Sequence, residues 1–140
     1  MANKFIGLQY PLKKTPRGIL AQKTGVDQIK ADLLQLLLTN PGERVMLPTF
    51  GTPLRELIFE PNDTNLEKRA REMIANSIFT WEPRIVVSDI TVSSNISRDL
   101  LNKFDDLNEK EAILFISIKF FDPQNIEIVE ELVLERPLGG

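Results

Sequence analysis

Glu43, Glu56, Glu60, Glu82, Asp105 and Asp106 are the residues with which this chain could do acid–base chemistry, because it has neither cysteine nor histidine. The lack of cysteine excludes thiolate nucleophiles, disulfides and cysteine–metal sites. The lack of histidine removes the commonest general base, the commonest metal ligand and every Ser-His-Asp arrangement. A glycosidase-like pair of carboxyls is the one catalytic scheme left open. Acidic side chains are common on solvated surfaces, however, and no spacing here joins two of them into a pair. Gly18, Gly42 and Gly51 are isolated, so no phosphate-cradling loop is present, and no metal-binding loop spacing is found. The expectation is a protein that is not an enzyme and carries no cofactor and no metal.

The motif Trp81-Glu82-Pro83-Arg84 stands apart from this background. Pro83 biases Glu82 toward an extended backbone, and in an extended segment Glu82 and Arg84 project to the same side. Two opposite charges beside the only tryptophan of the chain form a compact polar anchor, with Arg84 able to bind a carboxylate bidentately. Two uses fit this pattern: a partner-binding site at Glu82, Pro83 and Arg84, or an internal cap in which Arg84 meets the free carbonyls of the preceding helix. Chemistry alone favours the cap.

The elements that must position these residues are legible from periodicity. The 140 residues suffice for one domain. Residues 1–23 read as an extended segment with short strands at Phe5 to Tyr10 and Gly18 to Ala21. Residues 24–80 are the helical part. Thr24 caps a first helix with Asp27 in its first turn, and Ile29, Leu33, Leu36 and Leu37 form one apolar stripe that ends at Asn40-Pro41-Gly42. Val45 to Pro48 is a brief extended piece. Thr52 and Pro53 open a short helix with Leu54, Leu57 and Ile58 as its buried face. Thr64 and Glu67 make a capping box for a third helix, whose inner side is Leu66, Ala70, Met73, Ile74, Ser77 and Ile78.

Residues 81–140 are the sheet part. From Ile85 to Val92 the period changes to two. An acidic loop at 93–111 follows, then a strand from Ala112 to Phe121, a turn at Asp122-Pro123-Gln124-Asn125, and a last strand to Arg136. On that strand Ile126, Ile128, Leu132 and Leu134 share a face with Glu130. The fold class is therefore α+β, with helices packed on a small antiparallel sheet that ends in a C-terminal hairpin.

Charge adds one asymmetry. The early residues through Lys30 are mainly basic, whereas the last strand carries Glu127, Glu130, Glu131 and Glu135. Such polarity suits head-to-tail contacts between subunits. The net charge of −3 and the lack of a basic, aromatic-rich patch argue against nucleic acid. No apolar run approaches the roughly 18 residues of a membrane span, and no secretory signal is visible, so folding in the cytoplasm is expected.

Leu37-Leu38-Thr39, Gly42-Glu43-Arg44, Pro48, Phe50-Gly51, Leu54 to Pro61 and Glu82-Pro83-Arg84 together resemble, in order and spacing, the hallmark pattern of a known family. This is the baseplate wedge or sheath-initiator family of contractile injection machines, which is gene-25-like and related to the type VI secretion baseplate subunit. Tyr10-Pro11-Leu12 and Gly18 resemble its N-terminal portion. The resemblance implies a structural protein of a phage tail baseplate, assembled in the host cytoplasm. It implies that Glu82-Pro83-Arg84 contacts the wedge's helical core bundle. It also implies that the chain templates the first sheath ring, with the terminal hairpin accepting a sheath strand by augmentation. Gly42-Glu43-Arg44 and Phe50-Gly51 are read as fold-forming turns. A peptidoglycan-cleaving lysozyme-like enzyme and a stand-alone binding regulator on the same fold are the competing readings. The wedge reading expects alanine at Glu82 or Arg84 to leave the fold intact and abolish binding.

Overall fold

The computed structural model describes residues 5–59, 64–94 and 113–137. The acidic loop, apart from its first residues, falls outside these, as do Glu60, Asp105 and Asp106. Strands β1 (Ile6–Leu8) and β2 (Gln22–Thr24) pair antiparallel and lead into helix α1 (Gly25–Leu38). A 3-10 helix (Leu54–Phe59) and helix α2 (Thr64–Trp81) follow. The chain then forms β3 (Val86–Ser94), β4 (Ile113–Asp122) and β5 (Asn125–Pro137), a three-stranded antiparallel sheet in the order β3-β4-β5. The expected α+β class, with helices against an antiparallel sheet and a terminal hairpin, is what forms.

The helices are where the apolar stripes put them. Ile29, Leu33, Leu36 and Leu37 of α1 and Leu66, Ala70, Ile74 and Ile78 of α2 are all buried. They meet the inner face of the sheet, where Leu114, Ile116, Ile118 and Phe120 alternate with more exposed neighbours along β4. Fully burying one such side chain is worth about 1.5–3 kcal/mol, so this shared core is what fixes the layers. Cross-strand rows continue it: Ile90, Ile118 and Leu132 stand side by side, as do Val92, Ile116 and Leu134. Glu130 lies on the same face, and Lys30 of α1 reaches it at 2.8 Å, a tie between helix and sheet.

Several local expectations are corrected. Thr24 occupies the N-cap position of α1 without a side-chain capping bond, because it also ends β2; the helix's first residue, Gly25, donates its N–H to Phe5 O (2.8 Å). The α1 C-cap is Thr39, whose hydroxyl donates to Gln35 O (2.6 Å), so the helix stops before Asn40-Pro41-Gly42. The strand expected at Gly18 to Ala21 is instead Gln22–Thr24, and Leu20 makes only a bridge to Lys14. Thr52 does not cap the short helix; it is fully buried and its hydroxyl donates to Leu36 O (3.3 Å). Val45 and Met46 are not extended but form an exposed turn, each 92% accessible.

In β3, Ser88 is an extra residue, since Val87 pairs with Phe120 and Asp89 with Lys119. This one-residue bulge reverses the strand's parity, so buried Ile85 precedes it while buried Ile90 and Val92 follow it. The start of β5 departs further. Phe120 pairs with Glu130 and Asp122 with Asn125, leaving Ile126 to Val129 opposite Phe121 alone. The regular alternation is broken there, and Ile126 and Ile128 are exposed rather than sharing the dry face with Leu132.

Candidate functional site

The hallmark loop between α1 and the 3-10 helix is held by its own backbone. Gly42 N–H donates to Pro48 O (2.7 Å), and the Glu43 carboxylate accepts from Asn40 N (3.0 Å) and Asn40 Nδ2 (2.7 Å). Thr52 N–H donates to Thr39 O (2.9 Å) and Ser77 Oγ to Gly51 O (3.2 Å), which fastens the loop to both helices. Gly51 sits at φ 124°, where a Cβ would lie 2.4 Å from Thr39 O, so only glycine fits this crossing. The reading of Gly42-Glu43 and Phe50-Gly51 as fold-forming turns agrees with this geometry.

Glu82 ends α2, its N–H donating to Ile78 O (2.8 Å), and a turn through Pro83 brings Arg84 back beside it. Arg84 grips Glu82 with both ends of its fork, Nε to Oε1 and Nη2 to Oε2, each at 2.6 Å. Nη2 also donates to Asp32 Oδ2 of α1 at 2.5 Å. The segment turns here rather than running extended, yet the two charges do share one side. The fork that could take a partner's carboxylate is thus filled by carboxylates of this chain. Nor does Arg84 cap helix carbonyls: its bonds go to the two acids.

Glu82 is buried, at 5% exposure, whereas Arg84 and Asp32 keep roughly a third of their side chains open. The hydrogen bond to Glu82 raises the Arg84 pKa above its ordinary value against the opposing effect of burial, and Asp32 adds to the rise. Gln28 Nε2 donates to Asp32 Oδ1 (2.7 Å), and the Phe5 ring lies 5.0 Å beneath the Arg84 guanidinium. The cluster therefore binds α1, α2 and the N-terminal segment together.

Residues that the sequence keeps far apart converge on this cluster. Arg44 lies over the Phe50 ring at 4.0 Å, and Phe50 meets Trp81 edge to face at 5.3 Å and 66°. Arg44, Phe50 and Trp81 line one cavity of about 180 Å³ with Asp32, Gln35, Leu36, Glu82 and Arg84. Trp81, whose role the sequence leaves open, packs against the core. Asp32 and Arg44 are site residues that the sequence does not announce. Asp32 has a readable signal, a carboxylate three positions after Ile29 and four before Leu36, on the margin of the buried stripe. Arg44 reads only as part of a turn.

On the other side of Pro83 lies an open groove of about 640 Å³, lined in part by Ala75, Phe79, Pro83 and Val86. Phe79 is 88% exposed.

A family model described as baseplate wedge protein gp25 matches residues 23–115. Baseplate protein W of Escherichia phage P2 is 29% identical over 70 residues, which make up 50% of this chain and 61% of that protein's own length. Among solved structures, a Geobacter sulfurreducens protein provisionally described as a tail lysozyme superposes with a TM-score of 0.64 at 23% identity, over 82% of this chain and 92% of that one. A chain of the type VI secretion system baseplate complex gives 0.63 at 16% identity, over 82% and 94%. A chain of the anti-feeding prophage baseplate gives 0.61 at 19%, over 96% and 86%. These structures share the fold, and the family match spans both halves of the site, the hallmark loop and the Glu82-Pro83-Arg84 turn. This chain belongs to the baseplate wedge protein gp25 family, structural components of contractile-tail baseplates.

Proposed function

We propose that this chain docks on the helical core bundle of the baseplate wedge through the face around Glu82, Pro83 and Arg84, and that it templates the first sheath ring. The observation that carries the docking half is the convergence of that turn with Arg44, Phe50 and Trp81 around one surface cavity. Glu82 acts from within, holding Arg84 rather than meeting the partner itself. Pro83 and the open part of Arg84 are the exposed portion of the motif. Phe79 and Val86 supply an apolar flank of the kind found at docking surfaces. Support for the sheath half comes from β5, which pairs only with β4 among the described residues and carries exposed Ile128, Val129 and Val133. An unpaired edge is a template for an added strand.

A lysozyme-like reading requires two carboxyls about 5–9.5 Å apart across a groove with one free to donate a proton. The carboxylates that do meet, Asp32 and Glu82, both serve as anions to Arg84. Nothing in the geometry favours that reading over a structural one.

The test is a pull-down of purified wedge core-bundle complex by this chain and by Glu82→Ala and Arg84→Ala, each checked for folding by thermal melt. Loss of binding by variants that remain folded supports the docking face; wild-type binding by both removes it. For the sheath half, amides of β5 should gain protection from hydrogen exchange when sheath protein is added. Unchanged exchange along β5 would eliminate strand augmentation there.

A further inference from the structure

We propose that Arg44 is the group that receives the partner, and that what it receives is a carboxylate side chain. This rests on the docking face proposed above and names its chemistry. Every carboxylate oxygen in the cavity already accepts a hydrogen bond: Glu82 both of its oxygens from Arg84, and Asp32 one from Arg84 and one from Gln28. The unmet capacity is on the donor side. Among the described residues the Arg44 guanidinium has no carboxylate and no hydrogen-bond acceptor, only the Phe50 ring. Arg84 Nη1 and the Gln35 amide, on the same cavity, likewise make no hydrogen bond among the described residues.

The guanidinium is also held in place. It lies over Phe50, Phe50 is braced edge-on by Trp81, and the loop that carries it is closed by the Gly42–Pro48 bond. An arginine fork fixed in this way presents a planar pair of donors matched to a carboxylate. A cavity of about 180 Å³ admits the head of one acidic side chain and little more. A cationic ligand is disfavoured, because the two acids that would hold it are occupied.

The experiment measures affinity of the full chain for purified wedge core-bundle complex by calorimetry. Arg44→Met keeps the stem over Phe50 and removes the charge; Arg44→Glu reverses it. Loss of a desolvated, bidentate charge pair should weaken binding by about 30-fold or more for Arg44→Met, and by more for Arg44→Glu, with thermal midpoints unchanged. Charge reversal of an acidic residue on the bundle should rescue Arg44→Glu. If Arg44→Met binds within about twofold of wild type, far below the expected loss, Arg44 is only a shield over Phe50 and the proposal fails. In that event, loss of binding by a folded Arg84→Ala would leave the docking face standing, and its retention would remove the face as well.

Discussion

Arg84→Met tests the internal role of the site most sharply. It keeps the aliphatic stem near Phe5 and removes three charge-assisted bonds, two to Glu82 and one to Asp32. What remains is Glu82, a carboxylate at 5% exposure, with no cation beside it. Removing one partner of a buried pair costs about 3–5 kcal/mol. Arg84 and Asp32 are 30% and 32% exposed, so water recovers part of the loss, and roughly 2–4 kcal/mol is expected. Glu82→Gln should cost less, about 1–2 kcal/mol, because Arg84 keeps Asp32 and solvent. For a chain this size each kcal/mol moves the thermal midpoint by about 3 °C, which puts Arg84→Met roughly 6–12 °C below wild type. Urea melts of the two single variants and of the double variant decide the matter. The double should be less destabilised than the sum, since the stranded charge is gone. A loss below about 0.5 kcal/mol for Arg84→Met, the size of an ordinary surface change, or strict additivity in the double, would refute the view that Glu82 depends on Arg84. The expectation that alanine at either position leaves the fold untouched changes accordingly: binding assays on these variants need a stability control.

Other outcomes can be checked alongside. Gly51→Ala should cost more than about 2 kcal/mol, because φ is 124° and the new Cβ would meet Thr39 O; Gly18→Ala, at φ 79° in open space, should cost only about 1 kcal/mol. Deletion of Ser88 should remove the parity switch and expose the side chains of Ile85 and Val87, a loss of about 3 kcal/mol by chemical denaturation, whereas Ser88→Ala should stay within about 0.5 kcal/mol. Phe79→Ser should leave the melting temperature unchanged, since the ring is 88% exposed, and weaken binding of the core bundle about tenfold or more in calorimetry. Val45→Ser with Met46→Ser should likewise be neutral to stability within about 0.5 kcal/mol.

The parts of the fold that could be read ahead are those whose signal is local and repeated. Leu33 and Leu37 of α1, Ala70 and Ile74 of α2, and Ile116 and Ile118 of β4 each sit in a stripe that one period explains. What could not be read depends on single long-range events. One extra residue at Ser88 changes which side of β3 is buried, and no alternation in the sequence marks it. Thr52 has the look of an N-cap, but its hydroxyl is drawn away by Leu36 O across the chain. Val45 and Met46 look like strand and form an exposed turn, because the Gly42–Pro48 bond closes the loop around them. At the site, the mutual attraction of Glu82 and Arg84 was legible from their spacing. The third member, Asp32, lies 52 positions from Arg84, and only folding makes it a neighbour.

An internal ion pair and a docking anchor are compatible once their tasks are separated. A long arginine left free at an interface would lose rotamer freedom on binding, a cost of about 0.5–1.5 kcal/mol per side chain. Arg84 has already met that cost in folding, by bonding to Glu82 and Asp32, and the same bonds fix the wall against which Arg44 faces. The cavity is too small to supply affinity by area, since a stable interface buries about 800 Å² per partner. Area must come from the apolar side of the same turn, where Phe79 and Val86 stand exposed. Pro83 lies between the two, so one rigid turn joins a charged recognition point to an apolar contact surface. This arrangement explains why the motif needs a buried glutamate: Glu82 touches nothing outside, yet without it neither side of the turn would keep its position.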